Sequence, residues 1–168
     1  MQLVTHLWFA EEAKEAAEFY VSLLPDSRIE RVTNSPADTP NRPAGSVEIV
    51  EFTLTGQPFM AISAGKQDAF NHAMSLLIRC ENQAEIDRLW SSLLEGGSPE
   101  PCGWLTDRYG VSWQITWVAL SDMLADQDRQ KAKQAMEAML KMEKIDIKSL
   151  QNAFDGSVAV ESDLVRAT

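Results

Sequence analysis

Residues 3–9 (LVTHLWF) are rich in β-branched and aromatic types and read as a strand. Residues 11–24 place Ala13, Ala16, Ala17, Tyr20, Leu23 and Leu24 at helical spacing, so a helix is predicted there, with Glu11 and Glu12 at its N-terminus and Pro25-Asp26 ending it. Strands follow near 28–34, 46–54 and 57–64. Ser35 to Gly45, with three prolines, reads as a loop, and Thr55-Gly56 as a tight hairpin turn.

The pattern then recurs. A strand at 73–80 leads to an amphipathic helix at 83–95, with Ile86, Leu89, Trp90, Leu93 and Leu94 on one face, Asn82 as its N-cap and Gly96-Gly97 closing it. Strands near 101–105 and 111–118 are joined by the turn Asp107-Arg108-Tyr109-Gly110. The order is β-α-β-β-β followed by β-α-β-β with room for one more strand. The fold class is therefore α+β: two βαβββ modules forming a curved mixed sheet with a cleft, the kind of concavity in which small ligands bind.

The last third turns helical, at 120–126, 128–142 and 146–154. The expected organisation is one domain over 1–118, with halves of about 1–66 and 70–118, a helical extension over 119–155 and a flexible tail over 156–168. A methionine stripe, Met136, Met139 and Met142, is expected to cover the sheet or meet a second subunit.

Composition narrows the functions. The chain has 168 residues, 45% hydrophobic and 24% charged, as an ordinary globular domain does. A net charge of −10 argues against nucleic acid and against an anionic membrane surface. No apolar run approaches the ~20 residues of a membrane helix, and residues 1–6 do not read as a signal peptide, so a cytoplasmic protein is expected. Cys80 and Cys102 form no CxxC pair: Cys80 reads as a small buried hydrophobe, and Cys102, with nothing basic adjacent, as no catalytic thiolate.

The segments EFTLTGQPFMAISAG (51–65) and CGWLTDRYGVSW (102–113), with Gln114, His6-Leu7-Trp8-Phe9, Glu18-Phe19-Tyr20 and the helical stretch from Ala135 to Asp146, resemble the PhnB-like family. That family belongs to the glyoxalase/bleomycin-resistance/dioxygenase, or vicinal oxygen chelate, superfamily. The resemblance covers roughly residues 2–155. It implies the two-module fold, a small-molecule ligand and a homodimer. Members often carry the label 3-demethylubiquinone-9 3-methyltransferase, but the sequence has no glycine-rich GxGxG loop and its strand order does not suit a doubly wound methyltransferase sheet.

In metal-using relatives four inward-facing side chains hold one divalent ion. The resemblance puts His6, Ala61 (with Ser63 one alternation further on), Ser75 and Gln114 at those places. Only His6 and Gln114 are competent ligands, and no carboxylate is among them. No cofactor and no tightly bound metal are therefore expected; an ion, if held, would use His6 and Gln114. His6 is also the best catalytic candidate, as a general base near neutral pH. Alternation aligns Val4, His6 and Trp8 on one strand face. Together with Ser63, Ser75, Trp104 and Gln114, His6 and Trp8 make up the expected ligand-binding set, an aromatic wall carrying a few polar groups. His72 precedes its strand out of phase with Ser75 and reads as an exposed loop histidine.

Three functions remain open on these residues. One is metal-independent binding of a small molecule. The second is a metal-dependent lyase, isomerase or dioxygenase acting on vicinal oxygens. The third is a regulatory or interaction protein using the C-terminal helices.

Overall fold

The computed structural model describes residues 1–40, 42–65 and 69–156. The chain divides into two compact units, Met1–Phe70 and Asn71 onward. The flexible tail expected over 156–168 lies, beyond Gly156, outside the described residues.

In the first unit β1 (Thr5–Phe9) leads through α1 (Ala13–Leu23) to β2 (Arg28–Asn34), β3 (Glu48–Leu54) and β4 (Gln57–Ser63). The sheet order is β1-β4-β3-β2, with β1 parallel to β4 and the other pairs antiparallel. Helix α1 buries Ala13, Ala16, Ala17 and Tyr20, and the sheet buries Leu7, Phe9, Val50, Phe52, Leu54 and Ala61. Alanines at helical spacing let the helix lie close to the strands, while Tyr20 and Phe52 supply apolar area. Thr55 and Gly56, at φ 47° and 76°, form the β3–β4 turn with both central residues left-handed, as a two-residue hairpin requires.

The second unit repeats the plan with β5 (Leu76–Cys80), α2 (Gln83–Leu94), β6 (Ser98–Pro99), β7 (Trp104–Thr106) and β8 (Ser112–Trp117). Its order, β5-β8-β7-β6 with β5 parallel to β8, matches the first sheet. Asn82 caps α2, its side chain accepting from the Glu85 N–H at 3.0 Å. The turn before β8 is pinned by buried Asp107, whose carboxylate accepts from the Tyr109 and Val111 N–H groups and from Trp113 Nε1 at 2.8 Å.

Two strands differ from the sequence expectation. The strand expected from 73 starts at Leu76, because Asn71 Oδ1 accepts the Ala73 N–H at 2.8 Å and holds that segment in a turn. The strand expected over 101–105 is Trp104–Thr106, because Pro101–Gly103 form a single 3-10 turn with Cys102 at φ 64°. The N–H groups of Cys102 and Gly103 are taken by the carbonyls of Met142 and Glu143, at 2.7 and 2.6 Å, so they cannot pair in the sheet.

Those two bonds also tie the helical extension to the segment that leads into β7. The extension comprises α3 (Leu120–Leu124), α4 (Arg129–Met139) and α5 (Ile147–Phe154). Ile145 is fully buried, and Gln83 holds its carbonyl and the Ile147 N–H at 3.0 and 2.9 Å. Only glycine fits at 103: φ is +82°, and a Cβ would stand 2.6 Å from the Ile115 carbonyl oxygen and 2.9 Å from Ile145 Cγ1. Of the methionine stripe, Met136 is exposed and Met139 and Met142 are half-buried, and the main contacts of α4 are with helices rather than with a strand. Helix α4 packs on α3 and α5 through Ala132 and Ala135, and Met136 and Leu140 are exposed.

Replacing Ile145 by Ala is expected to cost about 3 kcal/mol of stability, the usual loss for truncating a fully buried aliphatic side chain. Urea unfolding checks this. A loss below ~1 kcal/mol would mean that the extension is only loosely attached.

Candidate functional site

Each sheet has one face under a helix and one open face. In the first sheet, register puts Leu7, Ala61 and Val50 in one row on the helix side, and His6, Met60, Glu51 and Arg31 in one row on the open side. His6 and Trp8 therefore share the open face, their rings 6.3 Å apart and parallel to within 3°. Trp8 is 48% exposed. Glu51, two strands away from His6, is paired with Arg31.

Ser63 is not with them. It pairs with Phe9, on the helix side, and is buried. Its Oγ accepts from the Ala13 N–H at 3.0 Å and donates to the Glu11 carbonyl at 2.8 Å. Helix α1 has no capping side chain of its own, and Ser63 supplies the cap from another strand. The alternation that would bring Ser63 to a ligand beside His6 is off by one residue, which inverts the face.

In the second sheet the open face gathers three of the expected residues. Gln114 pairs with Leu77 on one side and with Trp104 on the other. Gln114 Nε2 donates to Ser75 Oγ at 2.8 Å. Leu77 and Arg79 are exposed on the same face, while Trp113 and Ile115 point under α2. Cys80, also on the helix side, is buried, and desolvation pushes its thiol up to about 11, away from nucleophilic use at neutral pH.

Two residues join this face that the sequence did not assign to it. Glu100 lies opposite Trp104, since its N–H bonds to the Trp104 carbonyl. Its Oε1 accepts from Thr106 Oγ1 at 2.8 Å, and its Oε2 meets His72 Nε2 at 2.7 Å. The His72 imidazole, and secondarily Thr106, hold the Glu100 carboxyl below the usual carboxylate range. His72 belongs to the segment ahead of β5, at the opposite edge of the sheet from β6, so that segment reaches across the open face. Its ring lies 6.0 Å from that of Trp104. His72 is exposed, as the sequence implied, but its Nε2 bonds to the Glu100 carboxylate, so it is not a free loop side chain.

The donors do not fit a divalent ion held by protein ligands. Beside His6 stands Met60; Ala61 and Ser63 lie on the other face; Ser75 and Gln114 offer a neutral hydroxyl and amide bonded to each other. Among the described residues, no three His, Cys, Asp or Glu side chains gather into a metal-binding group. No described helix is long and apolar enough to cross a membrane.

The paired βαβββ units, each with one helix-covered and one open sheet face, are those of the vicinal oxygen chelate superfamily, and known proteins agree. The profile of the 3-demethylubiquinone-9 3-methyltransferase family matches residues 1–116. The PhnB protein of Bacillus cereus, which carries the same methyltransferase name, is 34% identical over 70% of this chain and 99% of its own, with a TM-score of 0.60. PA1353 of Pseudomonas aeruginosa is 24% identical over 70% of this chain and 97% of its own, with a TM-score of 0.53. The fosfomycin resistance protein FosX of Mesorhizobium loti shares the fold at 14% identity, covering 75% of this chain and 99% of its own, with a TM-score of 0.50. A search of curated proteins finds no match. The chain belongs to the PhnB-like, 3-demethylubiquinone-9 3-methyltransferase family.

The two sheet faces predict opposite mutational behaviour. Ser63→Ala removes a buried cap and leaves the Ala13 N–H unpaired, for an expected loss of about 1–2 kcal/mol. His6→Ala, on the open face, is expected to stay within ~0.5 kcal/mol of the parent. Denaturant midpoints of the two variants measure the contrast. The reverse order would overturn the assignment of the faces.

Proposed function

We propose that this chain binds a small, planar and largely apolar molecule without a protein-held metal, as a cytoplasmic homodimer. The observation that carries the reading is the open face of the second sheet. There the Trp104 indole, the Gln114–Ser75 pair and exposed Leu77 stand together. Aromatic and aliphatic surface supplies affinity, and a few fixed polar groups supply orientation. His6 and Trp8 offer the same combination on the first sheet.

Methyl transfer, the activity in the family's name, finds little support in these residues. Transfer from the common methyl donor relies on a glycine-rich turn after the first strand of a doubly wound sheet. Here β1 is followed by Ala10-Glu11-Glu12, and the sheets are four-stranded with one parallel pair each. Lewis-acid chemistry on vicinal oxygens is disfavoured by the neutral donors at Ser75 and Gln114.

The neutral fluorescent probe N-phenyl-1-naphthylamine tests the reading. Saturable binding is expected, weakened roughly tenfold in Trp104→Ala, as loss of one aromatic contact predicts. Absence of saturable binding, or unchanged binding in the variant, would refute it.

A further inference from the structure

We infer that Glu100, Trp104 and Thr106 form a recognition site for an organic ammonium or related nitrogen cation, and that His72 occupies this site in the structure as a built-in stand-in for the ligand. The inference rests on the binding-protein reading above and narrows its ligand class.

The geometry comes from the edge of the second sheet. Thr106 Oγ1 donates to Glu100 Oε1 at 2.8 Å and ties down one oxygen of the carboxylate. That leaves Oε2 to accept a second donor, which His72 Nε2 provides at 2.7 Å. The imidazole lies 6.0 Å from the Trp104 indole, tilted by 53°. A nitrogen donor held between a fixed carboxylate and an indole is the arrangement that recognises cations, through a charge-assisted hydrogen bond and the quadrupole of the ring. The Glu100 side chain is only 26% exposed, and its carboxyl is held low, so it carries its charge at neutral pH.

The occupant is replaceable where the site is not. Glu100 and Trp104 are tied into the β6–β7 ladder by the bond from the Glu100 N–H to the Trp104 carbonyl at 2.9 Å. The His72 side chain is 58% exposed and belongs to a turn outside the sheet, held by the Asn71 carboxamide. An incoming cation with an N–H donor displaces the imidazole without disturbing a strand. On the neighbouring strand, directly opposite Trp104, Gln114 with Ser75 then lies alongside to orient the rest of the ligand. The chain's −10 net charge adds a long-range field of the right sign.

The test uses benzylammonium chloride and the neutral isostere benzyl alcohol, titrated by calorimetry into the full chain and into His72→Ala and Glu100→Gln. His72→Ala empties the site and is expected to bind benzylammonium roughly tenfold more tightly than the parent, with no such gain for benzyl alcohol. Glu100→Gln keeps a Thr106 partner and is expected to lose the preference for the cation; far-UV circular dichroism establishes that it folds. Equal affinity for cation and alcohol in His72→Ala, or a cation preference that survives in Glu100→Gln, would overturn the inference. If N-phenyl-1-naphthylamine still binds in that case, only the cation site falls. If neither probe binds, the binding-protein reading falls with it.

Discussion

One helix over one face of each four-stranded sheet is the constraint on which the rest depends. Once α1 settles on Leu7, Val50 and Ala61, and α2 on Leu105, Trp113 and Ile115, the period of two along each strand leaves no choice for the other face. His6 and Trp8 on one sheet, and Trp104 and Gln114 on the other, are open because their neighbours are needed for the core. The polar pins reinforce the same division. Ser63 caps α1 from the buried side, and Asp107 holds the turn and Trp113 beneath α2.

The repeat was legible because its signals are local. Helical spacing in 13–24 and 83–95, glycine at the turns and a cap at Asn82 each act within a few residues. The face of β8 was legible too, since bulky Trp113 and Ile115 flank Gln114 and leave it one direction to point. Strand β4 was not. Phe59 and Ala61 alternate with Met60 and Ile62, so both faces are apolar and alternation alone does not say which is covered. That ambiguity put Ser63 on the wrong side. Glu100 and His72 escaped for a different reason. Their meeting depends on a two-residue edge strand and on a turn that reaches across the sheet, and neither leaves a periodic trace.

The consequence for chemistry is a change of emphasis. His6 has Met60 beside it and Gln114 is bonded to Ser75, while the Glu100 carboxylate meets the His72 imidazole on the open face of the second sheet. Charge on the second sheet sits where it can orient a ligand, and aromatic surface sits where it can hold one. The extension supports that face indirectly, since its hydrogen bonds to Cys102 and Gly103 fix the chain just ahead of Trp104.

Ligand binding by this chain without a protein-held metal is open to a direct check. The direct measurement is metal content, by inductively coupled plasma mass spectrometry, of protein purified without chelator or histidine tag, for the parent chain and His6→Ala. Far less than one metal per chain is expected in both. Near-stoichiometric zinc, nickel, iron or manganese in the parent, lost in the variant, would contradict it and make His6 the anchor of a metal centre.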